Sequence, residues 1–182
     1  FLRLESYDTR CNFYLLGVPS KSKHYLRYYK SYFSIMNYTC KTIINLPIDK
    51  VVQLWSDESH FIKWQDGFVR IEHIDQEKVE GAKAKIFFDG KHEFELLETI
   101  LVNNLPQEKK ALYEHTHMIN TQSSRFSELG PNQTEYTSEV VYTQFNGIMM
   151  KVMSKLFPGK FKGQSEKWMQ QFKEFAEGYE EV

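Results

Sequence analysis

The chain has 182 residues, 41% of them hydrophobic, with 14 Phe, 11 Tyr and 3 Trp and a formal net charge of −1. That length and apolar content suit one domain with a real core and exclude a disordered chain. The near-zero charge sets up no overall field toward nucleic acid, and no apolar run approaches the roughly 20 residues that would insert stably across a bilayer.

Residues 1–35 hold six of the eleven tyrosines and six Lys/Arg against Glu5 and Asp8, a net of +4 that leaves about −5 on the remainder. They show neither helical nor strand periodicity, and Phe13–Val18 is too short for the apolar segment of a secretory signal. We read 1–35 as a non-native or disordered extension, translated from an over-extended reading frame, with the domain beginning at Met36 and running over 36–182. Cys11 and Cys40 are the two cysteines; they build no disulfide framework, which fits a reducing, cytoplasmic location.

From Tyr38 the residues alternate as a strand to Ile44. Pro47 and Asp49 then suit a first helical turn, with Val51, Leu54 and Trp55 at helical spacing. Asp57 is placed to cap a second short helix bearing Phe61 and Trp64, and Asp66-Gly67 ends it. Strands are predicted over Phe68–Asp75, Ala82–Phe88, His92–Val102, Lys110–Met118, Asn120–Leu129 and Thr134–Phe145. Asp89-Gly90 marks a tight hairpin. Within His92–Val102, Phe94, Leu96, Ile100 and Val102 are expected to share one face.

The period becomes helical after Gly147, with an apolar segment Ile148–Phe157 that Pro158-Gly159 interrupts. The final helix lines up Phe161, Trp168, Phe172, Phe175 and Tyr179. This order implies an α+β fold with a six- to seven-stranded antiparallel sheet curved around the C-terminal helix. Two short helices follow strand 1, and a pocket is expected between sheet and helix.

Three stretches resemble the SRPBCC superfamily, the START-like group that includes polyketide cyclases, lipid-transfer domains and birch-pollen-allergen-type proteins. One is Ile44–Trp55 followed by Trp64. Another is Glu95–Ile100 with Asn104–Pro106 and Tyr113-Glu114. The third is Phe145–Met150, continuing through Pro158–Phe161 and Gln164 to Phe172–Glu177. The likeness covers 37–178, is greatest to small stand-alone bacterial members, and implies a helix-grip fold with an apolar cavity. It carries over no catalytic residues.

Glu98 interrupts the apolar face of its strand, so it must be hydrogen-bonded, paired or neutral; Tyr113, Arg125 or a histidine are candidate partners. His115 and His117, two apart on one predicted strand, would point to one face as metal ligands do, with Glu98 or His92 as a third. Without a fuller cluster no metal is assigned, and no cofactor. Glu98, Tyr113 and His115 are weak acid–base candidates. The expected pocket comprises Trp64, Phe88, Leu96, Glu98, Tyr113, His115, Phe126, Tyr142, Met149, Met153, Trp168 and Phe172.

Three functions compete: a binder or carrier of a hydrophobic small molecule (lipid, polyketide or isoprenoid-like), a cofactor-free cyclase or dehydratase in the same cavity, and a chaperone-associated interaction module. The first is preferred because no nucleophile motif or phosphate loop is present. Whether any reaction is catalysed and which oligomer forms stay open. Mass spectrometry of the native protein is expected to find Met36 at the amino terminus; a peptide from 1–35 would sink that reading.

Overall fold

The computed structural model describes residues 36–89 and 94–180, with the Met149 side chain set aside. Gly90, His92 and everything before Met36 lie outside the described residues, and with them the domain-start expectation. Along the chain run β1 (Met36–Ile44), α1 (Ile48–Ser56), a tight 3-10 turn (Glu58–His60), α2 (Phe61–Trp64), β2 (Phe68–His73) and β3 (Lys83–Phe88). Then follow β4 (Phe94–Asn104), β5 (Glu108–His115), β6 (Met118–Gly130), β7 (Gln133–Phe145), α3 (Ile148–Leu156) and α4 (Pro158–Glu177).

The seven strands form one antiparallel sheet in the order β1-β7-β6-β5-β4-β3-β2. Thus β1 and β2 are its two edges, and α1 with α2 carry the chain across the sheet from one to the other. From β2 onward each strand pairs with the next, a meander that returns to β1. The crossing is locally encoded. The Pro47 carbonyl accepts the Val51 N–H at 3.1 Å, Val51 and Leu54 are buried, and the Asp57 carboxylate accepts the Ser59 N–H at 2.9 Å, as a cap should.

Helix α4 is gripped from both ends. Near its start the Tyr38 hydroxyl donates to the Phe161 carbonyl at 3.1 Å and lies 3.0 Å from the Ser165 hydroxyl. Near its end Glu177 accepts the Asn45 backbone N–H at 2.7 Å and the Asn45 side-chain amide at 2.9 Å. Between these, Phe172 has 0% exposure and its ring meets Trp64 at 5.1 Å and Tyr136 at 6.1 Å. The helix-grip arrangement expected from the sequence is therefore present, with seven strands.

Three local expectations are corrected. Strand β5 ends at His115, and Thr116-His117 forms the turn to β6, so the two histidines do not share a strand face. A bulge between Ile100 and Val102 pairs Ile100 with Ala111 but Val102 with Lys110. Adjacent residues point to opposite faces, so Val102 leaves the face of Ile100. Strand β1 also starts earlier, at Met36.

Truncating a fully buried Phe typically costs about 3–5 kcal/mol through lost burial and the void left behind. Phe172→Ala is accordingly expected to lower unfolding stability by about 3–5 kcal/mol in urea. A loss below about 1 kcal/mol would show that α4 is held elsewhere.

Candidate functional site

A cavity of about 630 Å³ lies between the concave sheet face and the helices, within the usual range for small-molecule sites. Two apolar clusters bracket it. One joins Ile44, Val51, Leu54, Phe126, Met169 and Phe172; the other joins Val140, Tyr142 and Phe145 with Met118, Met150 and Phe161. Its lining is largely aromatic, including Trp55, Trp64, Phe88, Phe161 and Trp168. The buried indole nitrogens of Trp55 and Trp64 have no hydrogen-bond partner and no accessible surface, even toward the cavity. The Trp55 N–H approaches the Tyr136 hydroxyl without reaching hydrogen-bond geometry. These residues thus offer carbon surface to an occupant rather than donors.

One rung of the sheet brings four polar side chains to the cavity. Glu98 of β4 pairs with Tyr113 of β5, Tyr113 with Asn120 of β6, and Asn120 with Tyr142 of β7. All four line the cavity. Glu98 is 6% exposed, and one of its oxygens accepts the Tyr113 hydroxyl at 2.7 Å. Among the described residues, its other oxygen and the whole Asn120 side-chain amide have no protein partner. An open acceptor on β4 and an amide with donor and acceptor capacity on β6 therefore face the cavity from either side of Tyr113 on β5.

Four cavity-lining tyrosines, two of them in this rung, have raised pKa values. Burial, then the Glu98 carboxylate, pushes Tyr113 well up. Burial, then neighbouring Tyr38, does the same for Tyr142. Burial dominates for Tyr38 and Tyr136. All remain neutral donors at physiological pH. Farther along the sheet, Lys109 lines the cavity with its ammonium 5.6 Å from the Trp55 ring centre, within cation–π range.

Of the residues expected in the pocket, Trp64, Phe88, Leu96, Glu98, Tyr113, Tyr142, Met153 and Trp168 line it. Phe126 and Phe172 stand behind the lining, in the cluster that anchors α4. His115 sits outside it, edge-on to Phe94 at 5.8 Å and 5.2 Å from the His117 ring; burial lowers its pKa. The Met149 side chain lies outside the described set. Glu98 chose Tyr113, whereas Arg125 pairs with Glu108 at 2.8 Å and Glu139 at 3.2 Å. Sequence reasoning missed Asn120, Gln122, Tyr136, Tyr38 and Lys109. Their alternation on strands was visible, but the register that sets Asn120 beside Tyr113 was not. Among the described residues no group of three or more His, Cys, Asp or Glu could hold a metal ion.

No protein-family model matches the chain, and no curated protein matches it. Solved structures do. The ZhuI aromatase/cyclase from Streptomyces sp. R1128 superposes with a TM-score of 0.65 at 10% identity, covering 78% of this chain and 93% of that one. A START superfamily protein from Mycobacterium smegmatis gives 0.61 at 10% identity, over 76% and 97% of the two chains. TTHA0849 from Thermus thermophilus gives 0.64 at 13% identity, over 78% and 97%. The chain has the SRPBCC-like, helix-grip fold of these proteins.

The tyrosines generate a pH prediction. Tyr38, Tyr113, Tyr136 and Tyr142 each hold a proton more tightly when folded than at the ordinary value of 10.0. Their contribution to stability is intact below pH 10.0 and falls as pH rises past it toward the raised native values. Urea midpoints should drop steeply above that point, with these phenolates appearing only on unfolding. Ionisation of all tyrosines at their ordinary pKa in the folded protein would contradict this.

Proposed function

We propose that this domain binds and carries a hydrophobic small molecule in the cavity between sheet and α4. The observation that supports the reading is a cavity of about 630 Å³ whose lining combines aromatic side chains with polar groups, among them the unpaired Glu98 oxygen and Asn120 amide. A filled interior would favour an interaction module; this interior is not filled. The occupant best suited to it has an apolar body, of lipid, polyketide or isoprenoid type. It also carries neutral polar groups, a hydroxyl that can donate to the Glu98 oxygen and a hydroxyl or carbonyl for the Asn120 amide. A carboxylate or phosphate is disfavoured beside Glu98 by like charge, and Lys109 and Lys160 are cavity-lining cations that could take an acidic group at a distance. A reducing cytoplasm as location fits the buried thiol of Cys40. Nucleic acid is not part of this reading.

A second reading has its own support: the Glu98–Tyr113 contact of 2.7 Å sits inside the cavity. A carboxylate with a free oxygen could take a proton from a bound polyketide, and the Tyr113 hydroxyl, by turning its one O–H away from the then neutral Glu98, could donate to the oxygen that gains charge. Among the solved structures with this fold is one whose name gives an aromatase/cyclase activity.

Native mass spectrometry of the full chain, with extraction of bound compounds, tests both. A co-purifying apolar molecule of defined mass is expected. Leu96→Trp, which puts an indole into the cavity, should weaken uptake of a hydrophobic fluorophore at least ~10-fold. Asn120→Leu should weaken the co-purified compound by about 10-fold, the effect of one lost hydrogen bond left unpaired, yet spare the fluorophore. Conversion of the compound that disappears in Glu98→Gln would move the conclusion to the enzyme. An apo-protein that takes up no fluorophore would overturn the binder.

A further inference from the structure

Helix α3 has two unlike sides. Met150 and Met153 line the cavity, and the Ser154 hydroxyl donates back to the Lys151 carbonyl at 3.0 Å. On the other side Ile148, Val152 and Leu156 recur every fourth residue with 84%, 46% and 66% exposure, and Phe157 follows at 48%. At about 100° per residue Ile148, Val152 and Leu156 fall within one arc of about 80°, with Lys151 and Lys155 along its flank, while Phe157 lies just beyond the helix end. The other exposed large apolar side chains are scattered singly over strands, turns and the short helix α2, which is ordinary. A continuous apolar stripe is not.

The charge around the stripe has one sign. From Gly147 to Gly163 the sequence contains Lys151, Lys155, Lys160 and Lys162 and no Asp or Glu, in a molecule of net charge −1. Among the described residues only Lys162 of these four meets a carboxylate, Glu166 at 3.4 Å. Lys160 instead lies 5.3 Å from the centre of the exposed Phe157 ring.

We propose that the outer face of α3 docks on the surface of an anionic lipid bilayer. Ile148, Val152 and Leu156 enter the boundary between headgroups and acyl chains, with the exposed Phe157 at the end of the helix beside them, and the flanking Lys151 and Lys155 meet anionic headgroups. Lysines flanking an apolar stripe can extend their ammonium groups outward while their stems stay with the apolar surface. A second copy of this chain fits less well, because two-fold pairing of α3 would set the lysine row against itself. Docking rests on the outer face alone. Its use for exchanging cargo rests on the cavity reading above: the inner face of the same helix supplies two methionines to the cavity wall. Gly147, at φ 81°, and Pro158-Gly159 bound the segment.

Sedimentation of the full chain with vesicles of phosphatidylcholine containing about 30% phosphatidylglycerol tests this, with pure phosphatidylcholine as the comparison. Binding to the anionic vesicles is expected to be at least ~10-fold stronger, and to weaken as salt rises from about 0.1 M to about 0.5 M. Ile148→Ser combined with Leu156→Ser changes two exposed residues outside the cavity lining, and should cut vesicle binding at least ~10-fold with an unchanged circular dichroism spectrum. Lys151→Gln with Lys155→Gln should remove most of the preference for anionic lipid. Failure to bind anionic vesicles, or equal binding by the serine variant, overturns the proposal. So does a concentration-dependent dimer that the serine variant abolishes in the absence of vesicle binding. Uptake of a hydrophobic fluorophore without vesicles separates the two readings. Vesicle binding without uptake would sink the cavity reading alone, and uptake without vesicle binding would sink docking alone.

Discussion

Phe172, wedged between Trp64 of α2 and Tyr136 of β7, is the contact on which the remaining architecture depends. It ties the long helix, the crossover and the sheet at one point with no accessible surface. At the other end of α4 the link is polar and local, through Tyr38 and the first turns of the helix. Between these fixed points the concave face mixes short buried side chains, Ala84, Ala111, Ser124, Ser138 and Val140, with the larger Leu96, Glu98, Tyr113 and Asn120 that line the cavity. A helix held off the sheet by large aromatic residues at both ends leaves volume above this face that the side chains do not fill. The cavity thus follows from where the bulky residues are placed.

Element type was readable from sequence where period and punctuation agreed. Pro47, Asp49, Asp57 and Gly147 marked helix starts, and Val51 and Leu54 gave the buried face of α1 correctly. The sheet was harder, because single residues decide which way a strand faces. Treating Thr116-His117 as strand put His117 on a face with His115, whereas β5 ends at His115 and His117 belongs to the two-residue turn that follows. The bulge after Ile100 reversed Val102 without any glycine or proline to announce it. Neither event changes composition, so neither leaves a periodic trace.

The site was legible to a similar depth. Glu98 stood out because it broke an apolar alternation, and it is buried with a hydroxyl partner. Asn120 did not stand out, since polar residues crowd β6 on both faces. Its position follows from strand pairing, which aligns it with Tyr113 on one side and Tyr142 on the other. Phe126 and Phe172 were expected beside the ligand because large aromatics mark either a core or a cavity. Only the depth of packing tells the two apart.

Because the crossover separates β1 from β2 by the full width of the sheet, the fold keeps two open rims, each a template for pairing with another chain. Both are blunted. On β2, a bulge between Phe68 and Arg70 interrupts the ladder. Arg70 there lies 3.6 Å from the Phe87 ring centre and 2.8 Å from Glu72. On β1, Asn37, Thr39 and Lys41 alternate outward, with Lys41 tied to Glu135 at 2.8 Å. Charge, irregularity and a short strand at the rims oppose edge-to-edge growth into fibrils, which an open seven-stranded sheet would otherwise invite.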